Sequence, residues 1–183
     1  MASEIVLEQY NPNNPMHIAT AEAISGWQEY DKTQPNYKQM FPLGPREIGQ
    51  HIFGIVCMDI HDTGFTPVGY NGATYEFPGK VLETGGMIVN PDYRHRGLSK
   101  KIKAELLKAL ASLYPEYRLI TFANESSEHL NRRCGFRDAV TADVPEQALE
   151  LCAQTCTFYQ REVAGNGKVC CDTILVRELG DLV

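Results

Sequence analysis

Between Leu82 and Leu113 the hydrophobic period of the chain changes once, and that change predicts a strand, a turn and a helix. Gly85, Met87 and Val89 alternate with Gly86 and Ile88, so both faces are small or apolar, as in a central strand covered on both sides. Asn90, Pro91 and Asp92 stop the ladder, because Pro removes a donor and Asn and Asp favour turns. Leu98, Ile102, Leu106, Leu110 and Leu113 then recur at spacings of three and four, which is one helical face, with Lys100, Lys101, Lys103 and Lys108 on the rest.

The flanks carry the same kinds of signal. Ile5 to Tyr10 alternates as a first, edge-type strand, and Asn14 before Pro15 opens a helix along Ile18, Ala21, Ile24 and Trp27 that ends near Tyr30. Asp31 to Glu47 is turn-rich and aromatic and predicts a loop with a short helix. The large aromatics there and just before it, Trp27, Tyr30, Tyr37 and Phe41, either pack the core or wall a site. His51 to Ile60 and Pro67 to Glu76 predict two antiparallel strands, although the short apolar run from His51 to Met58 also fits a helix end. Arg118 to Ala123 predicts a strand, Pro145 to Tyr159 a helix, Arg161 to Lys168 a loop, and Val169 to Val176 the last strand.

The start of the helix after Gly97 is where chemistry enters. A first helical turn carries N–H groups without intrahelical partners and the positive end of the helix dipole, so it suits an anion. Arg94, Gly97 and Ser99 form R-x-x-G-x-S there; Gly97 allows close backbone approach, Ser99 is small, and Arg94 and Arg96 add charge. Such a turn can cradle a pyrophosphate. The same residues also suit a solvated basic turn that caps an ordinary helix.

Composition narrows the classes. With 183 residues, 43% of them hydrophobic, the chain is expected to be one domain, 1–183. A net charge of −6 argues against a nucleic-acid binder and allows cationic amine substrates. No apolar run reaches the length of a membrane span, and Met1 to Tyr10 lacks the basic start and apolar core of a signal peptide, so no membrane partner and a cytoplasmic location are expected. Six cysteines without a secretory signal imply reduced thiols. Cys152 and Cys156 share a helical face, but Cys170 and Cys171 point to opposite faces of a strand, so structural thiols are expected and no metal; Cys57 and Cys134 are expected in the core.

The run VNPDYRHRGLSKKIKAEL resembles the acetyl-CoA motif of the GNAT superfamily of N-acetyltransferases, Q/R-x-x-G-x-G/A between a strand and a helix, with Arg94, Gly97 and Ser99 on its defining positions. NESSEHLNRRCGF is similar to the next motif of that superfamily, with Asn124, Gly135 and Phe136 at matching spacing. The resemblance implies an α/β (α+β) fold: a mixed, mostly antiparallel sheet, helices on both faces and a splayed central strand pair. It makes 82–136 the acetyl-CoA-binding core and 145–176 an atypical C-terminal helix and last strand. It further implies acetyl-CoA as co-substrate, paired with the strand at Met87, Ile88 and Val89. The pyrophosphate then lies over Arg94, His95, Arg96, Gly97, Leu98, Ser99 and Lys100, the pantetheine arm at Asn124, and Arg133 or Arg132 at the 3′-phosphate.

Catalytic roles follow from the same resemblance. Glu83, eleven residues before Arg94, holds the spacing of a general base in some members, and fits an exposed strand-end carboxylate equally well. The position four before Gly135, where the family carries a tyrosine acid, is Asn131, which cannot donate a proton as an acid. The expected function is acetyl transfer from acetyl-CoA to a primary amine of a small molecule or protein by direct attack. The alternative is an acyl-CoA-binding regulatory or accessory domain with little turnover. The acceptor and oligomeric state, a homodimer included, stay open.

Overall fold

Asn14 opens the first helix as its sequence predicts: its side-chain oxygen accepts the Met16 N–H at 2.9 Å, and Pro15 fills a position that needs no donor. In a computed structural model the chain is described over residues 3–34, 43–155 and 173–182. The elements run β1 Glu4–Gln9, α1 Pro15–Lys32, α2 Pro45–Ile48, β2 Phe53–His61, β3 Gly64–Phe77, β4 Val81–Val89, α3 Leu98–Leu113, β5 Arg118–Ala123, α4 Glu125–Arg133, β6 Arg137–Asp138, α5 Glu146–Thr155 and β7 Thr173–Glu178. Short 3-10 turns follow β4 at Pro91–Tyr93 and precede α5 at Thr141–Asp143. Tyr37, Phe41, Cys156, Cys170, Cys171, the expected loop 161–168 and the expected helix and strand ends at 156–159 and 169–172 lie outside the described residues.

The strands hydrogen-bond in the order β1-β2-β3-β4-β5-β7-β6. β1–β2, β2–β3, β5–β7 and β6–β7 are antiparallel, and β4–β5 is parallel, so the fold is mixed and mostly antiparallel as expected. The parallel register pairs Val81 with Arg118, Leu82 with Leu119 and Glu83 with Ile120. Two compact units make up the chain: Met1–Thr74 with Gly85–Leu110, and Tyr75–Thr84 with Ala111–Val183.

In the first unit, helices cover both faces of β3. Tyr70 lies in one apolar cluster with Ala21 and Ile24 of α1, Ile48 of α2, and Val56, Met58 and Ile88. Its neighbour Gly69 faces the other way, where an added Cβ would meet Ile102 of α3 at 2.8 Å. The strand reading of His51–Met58 is the correct one from Phe53 onward.

The expected face of α3 needs correction at two places. Leu98, Ile102, Leu106 and Leu110 are buried, but Leu113, the last helical residue, is 58% exposed. A second row, Lys103, Leu107 and Ala111, is also buried, Lys103 to 2% exposure, because a helix lying on a sheet covers more than one row of side chains. Lys103 therefore does not share the solvated face of Lys100, Lys101 and Lys108.

The second unit is built on Phe77, Val81, Ile120, Ala148 and Val176, with Phe122, Ala139, Val144 and Leu151 against them. Buried Asp143 ties β5 and β6 together by ion pairs to Arg118 at 3.2 Å and Arg137 at 2.8 Å. The Arg137 guanidinium holds its carboxyl below the usual carboxylate range. Cys57, Cys134 and Cys152 are buried.

Candidate functional site

β4 changes character along its length. Val81, Leu82 and Thr84 are buried, whereas Gly85, Gly86 and Met87 are only half-buried, and Gly86 has φ +68, the left-handed region that side chains disfavour. A residue of that conformation inside a strand breaks the regular pleat. Asn71 of β3 steadies the break: its amide donates to the Gly85 carbonyl at 2.7 Å, and its buried Oδ1 has no partner among the described residues.

The turn after β4 is fixed from four elements. The Asn90 N–H donates to the Val68 carbonyl at 2.8 Å, and its side-chain amide donates to the Pro67 carbonyl at 3.0 Å. The Tyr93 hydroxyl donates to Asp59 of β2 at 2.9 Å. Arg94 donates through Nε to the Val89 carbonyl at 3.0 Å and grips Asp31 at the end of α1 with Nη2 at 2.9 Å and Nη1 at 2.7 Å. The Nη2 hydrogen bond is charge-assisted, and Nη1 adds an ion-pair contact to the second carboxylate oxygen. The Arg94 side chain is thus committed to holding the turn, so any charge it lends a ligand acts through a neutralised pair.

Between that anchor and α3 the backbone alternates. Arg94 is extended, His95 has φ +63, and Gly97 has φ +74. Left-handed residues separated by one position turn successive N–H groups toward a common concavity. His95, Arg96, Gly97 and Lys100 are exposed, Ser99 is half-buried and Leu98 is buried in the core. Arg96 folds back, its guanidinium 4.7 Å from the Tyr93 ring centroid and its Nη2 donating to the Asp92 carbonyl at 2.8 Å. No acidic residue lies in the first turn of α3, and a Cβ added at Gly97 would meet nothing within 4 Å, so the space over the turn is open.

The other singled-out residues belong to the second unit. Glu83 is half-buried at the last parallel pair, opposite Ile120. Asn124 caps α4, its Oδ1 accepting the Ser127 N–H at 3.0 Å, which leaves the amide nitrogen as its remaining polar end. Asn131 is buried to 4% exposure inside α4; its amide donates to the Ser127 carbonyl at 3.0 Å, and Oδ1 has no partner among the described residues. Arg133 is exposed.

Reading the sequence did not single out Asp31, Asn71 or the pair of His51 and Tyr70, which all lie around β4 and its turn. Their partners are far along the chain, and no local spacing marks them. Among the described residues no helix is long and apolar enough to cross a membrane, and no group of three or more His, Cys, Asp or Glu is placed to hold a metal ion.

The sequence model described as the acetyltransferase (GNAT) family matches residues 8–136. Among solved structures, a GNAT family N-acetyltransferase from Escherichia coli in complex with CoA aligns over 98% of this chain and 82% of its own, at 18% identity and TM-score 0.54. An acetyltransferase of GNAT family from Staphylococcus aureus Mu50 aligns over 96% and 99%, at 15% identity and TM-score 0.60. N-acetylglutamate synthase from Neisseria gonorrhoeae, complexed with coenzyme A and N-acetyl-glutamate, aligns over 96% of this chain and 35% of its own, at 17% identity and TM-score 0.57. No curated protein matches the sequence.

Proposed function

Because the chain belongs to the GNAT acetyltransferase family, we propose that it moves an acetyl group from acetyl-CoA to a primary amine of a small molecule or protein. The observation that carries this reading is the start of α3. An open, left-handed turn with no carboxylate in the first helical turn is held rigid by contacts to four other elements. Backbone N–H groups from His95 to Lys100 suit a pyrophosphate there, and a turn fixed in advance does not lose entropy when the ligand binds.

Beyond Gly86 the backbone of Met87, Ile88 and Val89 serves the pantetheine arm as a strand partner and polarises the thioester carbonyl. The amine nitrogen attacks the carbonyl carbon, the π pair moves to oxygen, and collapse reforms C=O while the C–S bond breaks. Glu83 accepts the amine's proton directly or through water, and water supplies one to the CoA thiolate. Asn124 is assigned to the pantetheine arm and Arg133 to the 3′-phosphate. Asn131 contributes no proton, since an amide is not an acid and this one is buried in α4. That same feature favours the second reading, an acyl-CoA-binding accessory domain with little turnover.

Two measurements test the proposal. Calorimetry with CoA should show binding by the parent and a strong loss in Gly97→Val, because a β-branched residue is strained at φ +74 and its side chain obstructs the turn. Equal affinity places the cradle elsewhere. Thiol release across an amine panel separates enzyme from accessory domain. Glu83→Gln should lower that rate by about 100 to 10,000-fold with CoA affinity unchanged, and parental rates at every pH would remove Glu83 from the mechanism.

A further inference from the structure

A buried polar pair in the first unit has no part in the chemistry assigned above. Tyr70 is fully buried, and its hydroxyl lies 2.6 Å from Nδ1 of His51. The site is cleared for it: a Cβ on Gly54 or on Gly72 would collide with that hydroxyl, and Tyr10 packs edge-on against the Tyr70 ring. A buried O–H left without an acceptor is costly, and Nδ1 is the acceptor within reach. Tyr70 therefore donates, Nδ1 accepts, and the proton of the neutral imidazole is assigned to Nε2. Burial pushes the His51 pKa down to about 4, with the Glu47 charge opposing, so the ring is neutral at neutral pH.

His51 also adjoins the break in β4. A Cβ built on Gly86 would meet Leu43 Cδ1 at 3.1 Å and His51 Cε1 at 3.8 Å. Cε1 is bonded to both ring nitrogens, and with Nδ1 held by Tyr70 the Nε2–H is the polar group left on the ring edge nearest Gly86. The ring is half-buried, and Leu43 next to it is pinned by two groups of α1: Gln28 accepts its N–H at 2.9 Å and Ser25 donates to its carbonyl at 3.2 Å. The ring, held by Tyr70, and Leu43 beside it are thus set before a ligand arrives.

We propose that His51 is a catalytic hydrogen-bond donor whose Nε2–H meets the acyl oxygen at Gly86, alongside the backbone amide of β4. This inference rests on the acetyl-CoA reading above. As the amine attacks, negative charge grows on that oxygen, and a fixed neutral N–H stabilises it without giving up its proton. Tyr70 is a positioning residue, because it fixes which ring nitrogen carries the hydrogen.

The test needs no acceptor. Isotope-edited infrared difference spectra of [1-13C]acetyl-CoA bound to the protein read the carbonyl stretch. The band should lie at lower wavenumber in the parent than in His51→Leu, and stay near the parental position in His51→Gln, which keeps an N–H donor. Tyr70→Phe leaves the ring and removes what fixes its tautomer, so its band should also move to higher wavenumber; it carries the test alone where His51→Leu does not fold. Identical bands in the parent and in the folded variants overturn the role of His51. Failure of the parent to bind CoA overturns the cofactor reading instead, and the two failures are read in separate measurements.

Discussion

Two helices of this protein begin in opposite ways. At α4, Asn124 accepts the Ser127 N–H, Ser127 Oγ accepts the Asn124 N–H at 3.1 Å, and Glu125 and Glu128 add carboxylates to the first turn. Its terminal donors and its dipole are answered from within the chain. At α3, Gly97 holds the corresponding position, its carbonyl accepting the Lys101 N–H at 3.3 Å, and it has no side chain with which to cap. The first turn there reads Leu98, Ser99, Lys100, without an acid. The contrast teaches that the anion site proposed at the α3 start depends as much on what is withheld, a capping side chain and a carboxylate, as on what is supplied.

The contrast can be broken by making α3 begin as α4 does. Asp is among the residues that tolerate left-handed φ best, so Gly97→Asp should keep the turn while placing a carboxylate over the N–H groups. Losing one or two charge-assisted hydrogen bonds, with added repulsion, should weaken CoA binding by roughly 100-fold by calorimetry. The melting temperature should hardly change; unchanged affinity would mean that the α3 start is not the phosphate site.

The reverse experiment, Asn124→Ala, removes the cap of α4 and should cost about 1 kcal/mol in denaturant unfolding. If Asn124 also serves the pantetheine arm, CoA affinity falls with it, whereas stability loss alone restricts Asn124 to capping. The smallest effect is expected for Glu125→Gln. Its stability loss should be below that of the cap and vanish at about 1 M salt, where exposed charges are screened; a loss that persists would assign Glu125 more than a dipole effect.

Much of the candidate site was legible in the sequence. The change of hydrophobic period marked the β4–α3 junction, and Asn14 and Asn124 lie where caps belong. The two rows buried on α3 were not legible, because a period identifies a face and not the width that a sheet will cover. Nor was the use of Arg94. A basic residue in a turn reads as a ligand contact, and its commitment to Asp31, 63 residues away, depends on where the end of α1 comes to lie.

The sequence by itself determined the elements, their boundaries around the motif and the residues available to bind an anion, since these follow from local period, backbone propensity and capping. Only the tertiary structure decided how those residues are used. It spends Arg94 on Asp31, buries Asn131 within α4, gives Gly86 its left-handed turn in β4, and brings Tyr70 of β3 against His51, 19 residues before it. The physical reason is range: helix and turn signals act over three or four residues, whereas a buried hydrogen bond is set by two surfaces that meet only when the chain has packed.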